Sequence, residues 1–564
     1  MDTKKLSPFL TVTPQISAAD IALIKGMGFH TIINNRPDQE GEDQPTAASL
    51  AEVAKAAGLD YRHQPVKSGG ITPEDVADFT DLMDEVKGPV LAFCRTGTRC
   101  TMLWALSEAR HMDPESITAT AASAGYDLSG IRGQLDEIYA AAGGASSTPE
   151  GAAKVHDVLI VGAGAGGLAT ASSILKRRPG LDIVVVDPAE HHYYQPGWTL
   201  VGGGVFNRAQ TQRSMASVMP AGVEWKRTAC IGFEPERNRI VVEGGERVYY
   251  KTLVVSPGLK LNWDAVEGLA DSLGKNGVTS NYRFDLAPYT WELVQNLKGG
   301  KAVFTQPPMP IKCAGAPQKA LYLSCDAWTR NGHLKDVDVQ FYNAGGVLFG
   351  VEAYVPALME YINKYNAGLN FNHNLVAIDG EAKKAWFKNT SPEASDERVE
   401  VDFDMIHVCP PQCAPDFVRN SPLANEAGWV DIAPDTLQSP KFGNVFSLGD
   451  AGSSPNAKTA AAVRKQAPVV AENVLAVMDG KDPQAAYDGY GSCPLTVERG
   501  KIVLAEFGYG GKLLPSMPTW LLNGQRPTRA AWFLKEKLLP PIYFNMMLKG
   551  REWLAAPQRL PTQS

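Results

Sequence analysis

The chain has 564 residues, 44% hydrophobic and 20% charged, with a formal net charge of −7. That length exceeds one hydrophobic core and corresponds to roughly three to four domain-sized units, and the mildly acidic balance offers no basic footprint for nucleic acid. No run of 18 apolar residues is present, so no spanning helix is expected. The N-terminus, MDTKKLSPFLTV, lacks the apolar core of a secretory signal, and eight cysteines in so long a chain fit reduced thiols better than a disulfide scaffold. A cytoplasmic location is the expectation.

In residues 1–140, strand-like segments (His30 to Asn34, Val90 to Phe93) alternate with helical ones (Ala18 to Met27, Thr46 to Ala57, Pro73 to Val86, Thr101 to Arg110), which predicts a small α/β domain. Its last strand opens into Cys94-Arg-Thr-Gly-Thr-Arg99 and then a helix. Loop amides and a helix dipole at that point stabilise a thiolate, so Cys94 reads as a nucleophile and Arg99 as the holder of an oxyanion. Asp38, in TIINNRPDQE, is a candidate general acid. Small and polar residues from Ala140 to Lys154 read as a linker, placed at 141–154.

The next segment is the most informative. An apolar strand, Val158 to Val161, runs into Gly162, Gly164, Ala165, Gly166 and Gly167, a helical pattern follows from Leu168 to Lys176, and a second apolar run, Ile183 to Val186, ends on Asp187. Strand, glycine turn, helix and acid in this order specify a dinucleotide site: the turn admits a pyrophosphate to a helix N-terminus and the acid meets a ribose hydroxyl. Further on, the strand Ala302 to Thr305 enters Gln306-Pro-Pro-Met-Pro310, and Asn343 to Gly350 lacks the glycine spacing, so NADH is not expected as donor. The fold class is therefore α/β, with Rossmann-type nucleotide domains and a C-terminal amphipathic region. Cys409 and Cys413 lie on a Pro-rich loop, HVCPPQCAPD; no second ligand pair accompanies them, and no metal is expected. From Gln525 to Trp553, aromatic and aliphatic residues alternate with cations, which suits a helix in a membrane interface, broken in two at Pro540-Pro541, or ordinary packing against the dinucleotide domain.

Two resemblances add to these readings. The Cys94 loop resembles both the Cys-x5-Arg loop of tyrosine and dual-specificity phosphatases and the CRxGxR persulfide loop of rhodanese-type sulfurtransferases, and the whole unit looks like the phosphatase-fold domain found fused to sulfur-metabolism enzymes. Only four residues separate Cys94 from Arg99, and Phe93 stands where phosphatases carry His; the shorter loop favours sulfur transfer over phosphate hydrolysis. Residues Val155 to Arg551 resemble the sulfide:quinone oxidoreductase family through HHYYQPGWTLVGGG, YYKTLVVSPGLKLNW, PIKCAGAPQKALYL, NVFSLGD, AKTAAAV and YDGYGSCPL, in the family's order.

The second resemblance implies FAD, contacted by Gln195, the backbone of Cys230, Ser256 and Gly258, with Asp450 near the ribityl and pyrophosphate and Lys458 as a cation for reduced flavin. It implies that Cys313 carries sulfide-derived sulfur, with electrons passing through FAD to a quinone and sulfur to an acceptor thiol. Sulfide or another small sulfur donor, a quinone and a membrane surface at the inner face of the cell membrane are the expected partners; homo-oligomerisation is left open. The domains implied are the first part of the FAD domain (155–262), a second nucleotide fold (263–375), a return with the GD motif (376–480) and a quinone and membrane-interface region (481–564). One departure stands out. Asp450 is followed by Ala451, Gly452 and Ser453, where the second redox cysteine is expected. Cys409 or Cys413 is the candidate substitute, or both are inert loop thiols, while Cys100, Cys325 and Cys493 read as structural. A flavoprotein with another donor, or a redox-regulated phosphatase, remains an alternative.

Overall fold

The computed structural model describes residues 1–86, 88–142, 154–391, 398–456 and 458–560; the expected linker falls almost wholly outside them. The chain divides into two units, Met1–Asp157 with Thr228–Lys251 and Asn420–Leu423, and Val158–Arg227 with Thr252–Arg419 and Ala424–Ser564.

In the first unit, the strands are ordered Lys4–Lys5, Leu10–Thr13, Val90–Phe93, Thr31–Asn34, Asp60–His63, parallel throughout except for the first pair. The central strands VLAF and TIIN are buried along their whole length, as strands covered on both faces must be. Helices Ala47–Ala56, Pro73–Glu85 and Thr98–Glu108 follow the sequence expectation, and the second starts on a capping box between Thr72 and Asp75.

This unit also takes up a hairpin, Cys230–Glu234 with Arg239–Val242, which the sequence assigned to the FAD domain. The reason is packing and charge. Val241 belongs to the same buried cluster as Phe9, Val90 and Trp104. Arg237 and Arg239, both almost fully buried, reach Glu108 at 3.0 Å and Asp84 at 2.9 Å respectively.

The sheet of the second unit is ordered Val223–Lys226, Ile183–Val186, Val155–Val161, Arg247–Val255, Val445–Ser447, with the first three strands parallel to one another and the last two parallel to each other. A second sheet, parallel throughout, runs Val278–Thr279, Met405–His407, Gly300–Gln306, Val337–Asn343, Gly368–Phe371. Because Met405–His407 lies in this sheet, the chain returns to the first sheet only at Val445, well after the expected boundary at 376; the intervening strands His373–Asp379, Lys384–Asn389 and Arg398–Asp402 form a separate antiparallel sheet.

The C-terminal region begins with the hairpin Gly491–Glu498 and Lys501–Phe507. The tail is helical from Arg529 to Asn545, with a π-turn over Leu534–Leu538 that absorbs the missing amides of Pro540 and Pro541, so the prolines do not split it. Its inner face, including Lys535, Tyr543, Phe544 and Leu548, is buried, while Phe533 and Leu538 are exposed. Among the described residues no helix is long and apolar enough to cross a membrane.

Candidate active site

One cavity of about 450 Å³ runs through the second unit and gathers most of the expected cofactor residues. Gly162, Gly164, Ala165, Gly166, Asp187, Gln195, Ser256, Gly258, Asp450, Lys458 and Cys313 all line it. Gly162 takes φ +99°, and a Cβ there would lie 2.5 Å from the Ser256 carbonyl; at Gly167, which lies behind the wall, a Cβ would meet the Gly162 carbonyl at 1.9 Å. A Cβ on Gly164 would meet nothing within 4 Å. Backbone is thus packed tightly behind the turn and left open in front, as a pyrophosphate requires. No side chain caps helix Ala165–Arg177, so its first amides are available to an anion. The Asp187 carboxylate accepts from the amides of Ala163 (2.6 Å) and Ala189 (2.7 Å), which fixes it at the end of its strand.

Deeper in, cations and unpaired polar atoms face the space. Lys458 donates to the carbonyls of Asp450 (2.8 Å) and Gly452 (2.9 Å), and burial lowers it to about 8, against the pull of Asp450. Burial raises the Asp450 carboxyl, partly offset by Lys458 and Lys312. Asp450 is not a helix cap: Thr459 caps helix Ala460–Met478. Lys312 donates to Gln195 Oε1 at 2.6 Å. Trp198 Nε1, Thr199 Oγ1 and both amide atoms of Asn281 are buried without a partner on the same cavity wall. An open glycine cradle, an uncapped helix and orphaned polar groups along one cavity fit FAD.

Cys313 sits just before helix Ala316–Arg330, in the left-handed region at φ +53°, with its amide bonded to the Lys458 carbonyl at 2.9 Å. Its Sγ lies 3.4 Å from Cys493 Sγ and 3.0 Å from Lys319 Nζ. A hydrogen bond from the Cys493 thiol holds Cys313 well below the ordinary cysteine value, against burial and with help from Lys319. Cys493 is raised by the same bond and by burial. Lys319, despite burial, is raised by the Cys313 thiolate, and burial together with Lys319 lowers the neighbouring Lys535 to about 7.

This corrects the sequence reading of the thiols. Cys493, taken as structural, is the cysteine whose sulfur meets that of Cys313, while Cys409 packs in the same buried cluster as Cys313. Burial raises Cys409 to about 12, and Cys413 pairs its short strand with Lys260. Cys230 does not line the cavity; its Sγ faces the Gly232 carbonyl at 3.5 Å and burial raises it to about 12. Lys319, in the first turn of the helix that starts at Ala316, was legible in principle as a cation six residues after Cys313. Lys535 was visible only as one of several tail cations.

In the first unit, Cys94 ends strand Val90–Phe93 and accepts a hydrogen bond from the Gly97 amide at 3.2 Å. The Cys100 thiol first, then the amides of Cys100, Thr96 and Arg99, lower Cys94 to about 5 against burial. Cys100 is raised by burial and by the Cys94 thiolate. Arg99 donates to Glu40 Oε1 at 2.7 Å and to the Asn35 carbonyl at 2.9 Å, and Glu40 also holds Arg36 at 2.8 Å. Asp38, expected as a general acid, is exposed and accepts from the Ala47 amide at 2.8 Å, at the start of a helix.

The fold and this cavity define a flavoprotein with two nucleotide-fold domains. The Pyridine nucleotide-disulphide oxidoreductase family matches residues 156–290, and the phosphatase-like domain of Beta-lactamase hydrolase-like protein matches residues 2–111. The chain is 43% identical over 401 residues, 70% of its length and 87% of the relative, to the mitochondrial sulfide:quinone oxidoreductase of Dictyostelium discoideum. It is 36% identical over 396 residues, again 70% of its length and 87% of the relative, to that of Mus musculus. The solved sulfide:quinone oxidoreductase of Aquifex aeolicus superposes with a TM-score of 0.58 at 19% identity, over 69% of this chain and 92% of that one. The chain belongs to the sulfide:quinone oxidoreductase family. It is a FAD-dependent oxidoreductase with an N-terminal phosphatase-like domain.

Proposed function

We propose that the chain oxidises hydrosulfide at the Cys313 and Cys493 pair and delivers the electrons to a quinone. The observation that carries this reading is the pair itself, two sulfurs 3.4 Å apart beside Lys319 at the cofactor cavity. With the pair oxidised to a disulfide, hydrosulfide attacks Cys493 Sγ; the S–S bond breaks, leaving Cys493–S–SH and a Cys313 thiolate. Lys319 and the helix N-terminus make Cys313 the better leaving group. An acceptor thiolate then takes the outer sulfur as R–S–SH and leaves Cys493 as a thiolate. Loss of two electrons from the two thiolates restores the disulfide. FAD, when bound, supplies the two-electron relay from sulfur to quinone.

Anaerobic sulfide is expected to bleach the flavin, and a soluble quinone to restore its colour. Cys313→Ser and Cys493→Ser are each expected to abolish bleaching with FAD content retained; bleaching in both variants defeats the assignment.

For the N-terminal domain the reading is sulfur transfer at Cys94: its thiolate attacks the outer sulfur of R–S–SH, giving Cys94–S–SH and R–S⁻. Arg99 supports this over phosphate hydrolysis, because its guanidinium is already neutralised by Glu40. Cys94→Ser is expected to remove sulfurtransferase activity and leave bleaching intact, whereas hydrolysis of an aryl phosphate by the wild type would favour the phosphatase reading. The tail's exposed Trp520, Leu521, Phe533 and Leu538 support peripheral attachment to a bilayer.

A further inference from the structure

The loop that begins at Cys94 ends on a second thiol. Cys100, read from the sequence as structural, stands in the first turn of helix Thr98–Glu108 and is wholly buried, as Cys94 nearly is; both belong to the buried cluster that holds Leu103 and Trp104. The Cys100 thiol hydrogen-bonds the Cys94 sulfur, and the Gly97 amide adds a bond at 3.2 Å. The loop between the two cysteines is pinned. Gly97, its turning point at φ +88°, leaves no room for a side chain, since a Cβ there would lie 2.0 Å from the Tyr126 hydroxyl. Its carbonyl accepts from the hydroxyl and the amide of Thr101, both at 3.0 Å. The two sulfurs are thereby held against each other from opposite ends of the loop.

A hydrogen bond alone does not require sulfur at this position. A thiol is a weak donor, and a serine hydroxyl would serve the Cys94 thiolate better. What sulfur adds is nucleophilicity towards another sulfur. Burial first, then the Cys94 thiolate, raise Cys100, against the pull of Arg99. That balance shifts once Cys94 carries an outer sulfur, because the negative charge moves from Sγ to the outer atom and its hold on the Cys100 proton weakens. Cys100 already touches Sγ, so the next step needs no second molecule in the loop.

We propose that Cys100 resolves the Cys94 persulfide, so that the N-terminal domain also reduces organic persulfides to hydrosulfide. This rests on the sulfur-transfer reading of Cys94 given above. Cys94 first takes the outer sulfur of R–S–SH and releases R–S⁻. The Cys100 sulfur then attacks Cys94 Sγ: a Cys94–Cys100 disulfide forms, the bond from Sγ to the outer sulfur breaks, and the ionised outer sulfur leaves as HS⁻ with the proton that Cys100 gives up. Two molecules of a low-molecular-weight thiol reduce the disulfide through a mixed disulfide, restoring both cysteines and leaving R–S–S–R. The thiol is oxidised and the persulfide sulfur reduced. The hydrosulfide released is the substrate of the reaction proposed for Cys313 and Cys493.

The test uses the FAD-loaded full chain without oxygen or quinone, with glutathione persulfide as the probe, at a pH of about 9, where even an ordinary cysteine is largely thiolate. Trypsin cuts after Arg95 and Arg99, so the bridge appears as two linked peptides, one ending at Arg95 and the other starting at Cys100. The linked pair is expected in the wild type with the persulfide and not with glutathione alone. Cys100→Ser is expected to abolish it, to leave Cys94 carrying its outer sulfur, and to slow hydrosulfide release in excess glutathione more than about tenfold, read above the background of Cys94→Ser. Without quinone the Cys313 and Cys493 pair turns over only once, so the hydrosulfide accumulates. A wild type in which Cys94 keeps its outer sulfur and no linked pair forms overturns the proposal and leaves Cys100 as a hydrogen-bond donor alone; release at an unchanged rate in Cys100→Ser overturns it as well. Should Cys100→Ser fail to fold, Cys100→Ala replaces it, and the wild-type peptides decide without any variant. A Cys94 that gains no outer sulfur and forms no bridge in any of these proteins sinks the sulfur-transfer reading itself.

Discussion

Gly315 decides how closely the two sulfurs of the active site approach. A Cβ at this position would stand 2.2 Å from Leu495 Cδ2 and 2.7 Å from Cys493 Sγ, so no larger residue leaves the hairpin strand where it is. Gly315→Ala is expected to cost about 1–3 kcal/mol through overpacking and, by displacing Cys493, to slow bleaching by sulfide by more than tenfold while FAD stays bound. Bleaching at the wild-type rate would show that the approach is not needed. Cys94 gives a second prediction at this scale. Its value, lowered to about 5, means that it is a thiolate at neutral pH and takes up a proton only as pH falls through about 5. The Cys100 thiol is the largest contributor, so Cys100→Ala is expected to raise the midpoint towards that of an ordinary cysteine. Ultraviolet thiolate absorbance, read against Cys94→Ser, measures it; an unmoved midpoint would assign the shift to the loop amides alone.

At the scale of elements, what could be read from the sequence followed periodicity and turn chemistry. The glycine turn, its flanking strands and helix, and the alternation of the N-terminal domain emerged as expected because each is encoded within a dozen or so adjacent residues. Three features were not legible for the opposite reason. Cys493 sits in an apolar strand and reads as core; its partner lies 180 residues earlier, and only tertiary packing joins them. The prolines at 540 and 541 looked like a break because the preceding π-turn leaves no mark in the pattern. The hairpin at Cys230–Val242 was assigned by its position in the chain, whereas its buried arginines find their carboxylates on Asp84 and Glu108. Arg239→Ala removes one partner of such a buried cluster, so a loss of about 3–5 kcal/mol is expected in denaturant unfolding of the first unit's signal. A loss below 1 kcal/mol, as at surface pairs, would mean that packing of Val241 alone holds the hairpin.

For the whole molecule, the order of motifs was enough to recognise the flavoprotein, but the tail's balance between packing and exposure required coordinates. The packing alternative holds for the inner face, and the outer face is exposed. Tyr543 joins the interior through a 2.7 Å hydrogen bond with His192, while Trp520, at 85% exposure, Leu521, Phe533 and Leu538 are open to the surroundings. Fully burying a large apolar side chain is worth about 1.5–3 kcal/mol, and Leu521, Phe533 and Leu538 keep only 41–59% of that surface exposed, so the four together supply reversible rather than permanent attachment to a bilayer. Replacing all four with Ser is therefore expected to reduce co-sedimentation with lipid vesicles by more than about 100-fold. Turnover with a soluble short-chain quinone should be preserved, because none of Trp520, Leu521, Phe533 or Leu538 lines the cavity, while turnover with a long-chain quinone embedded in the vesicles should fall in step with sedimentation. Unchanged sedimentation would remove these residues from the attachment surface. Loss of both activities together would instead mean that they hold the tail's inner face against the site.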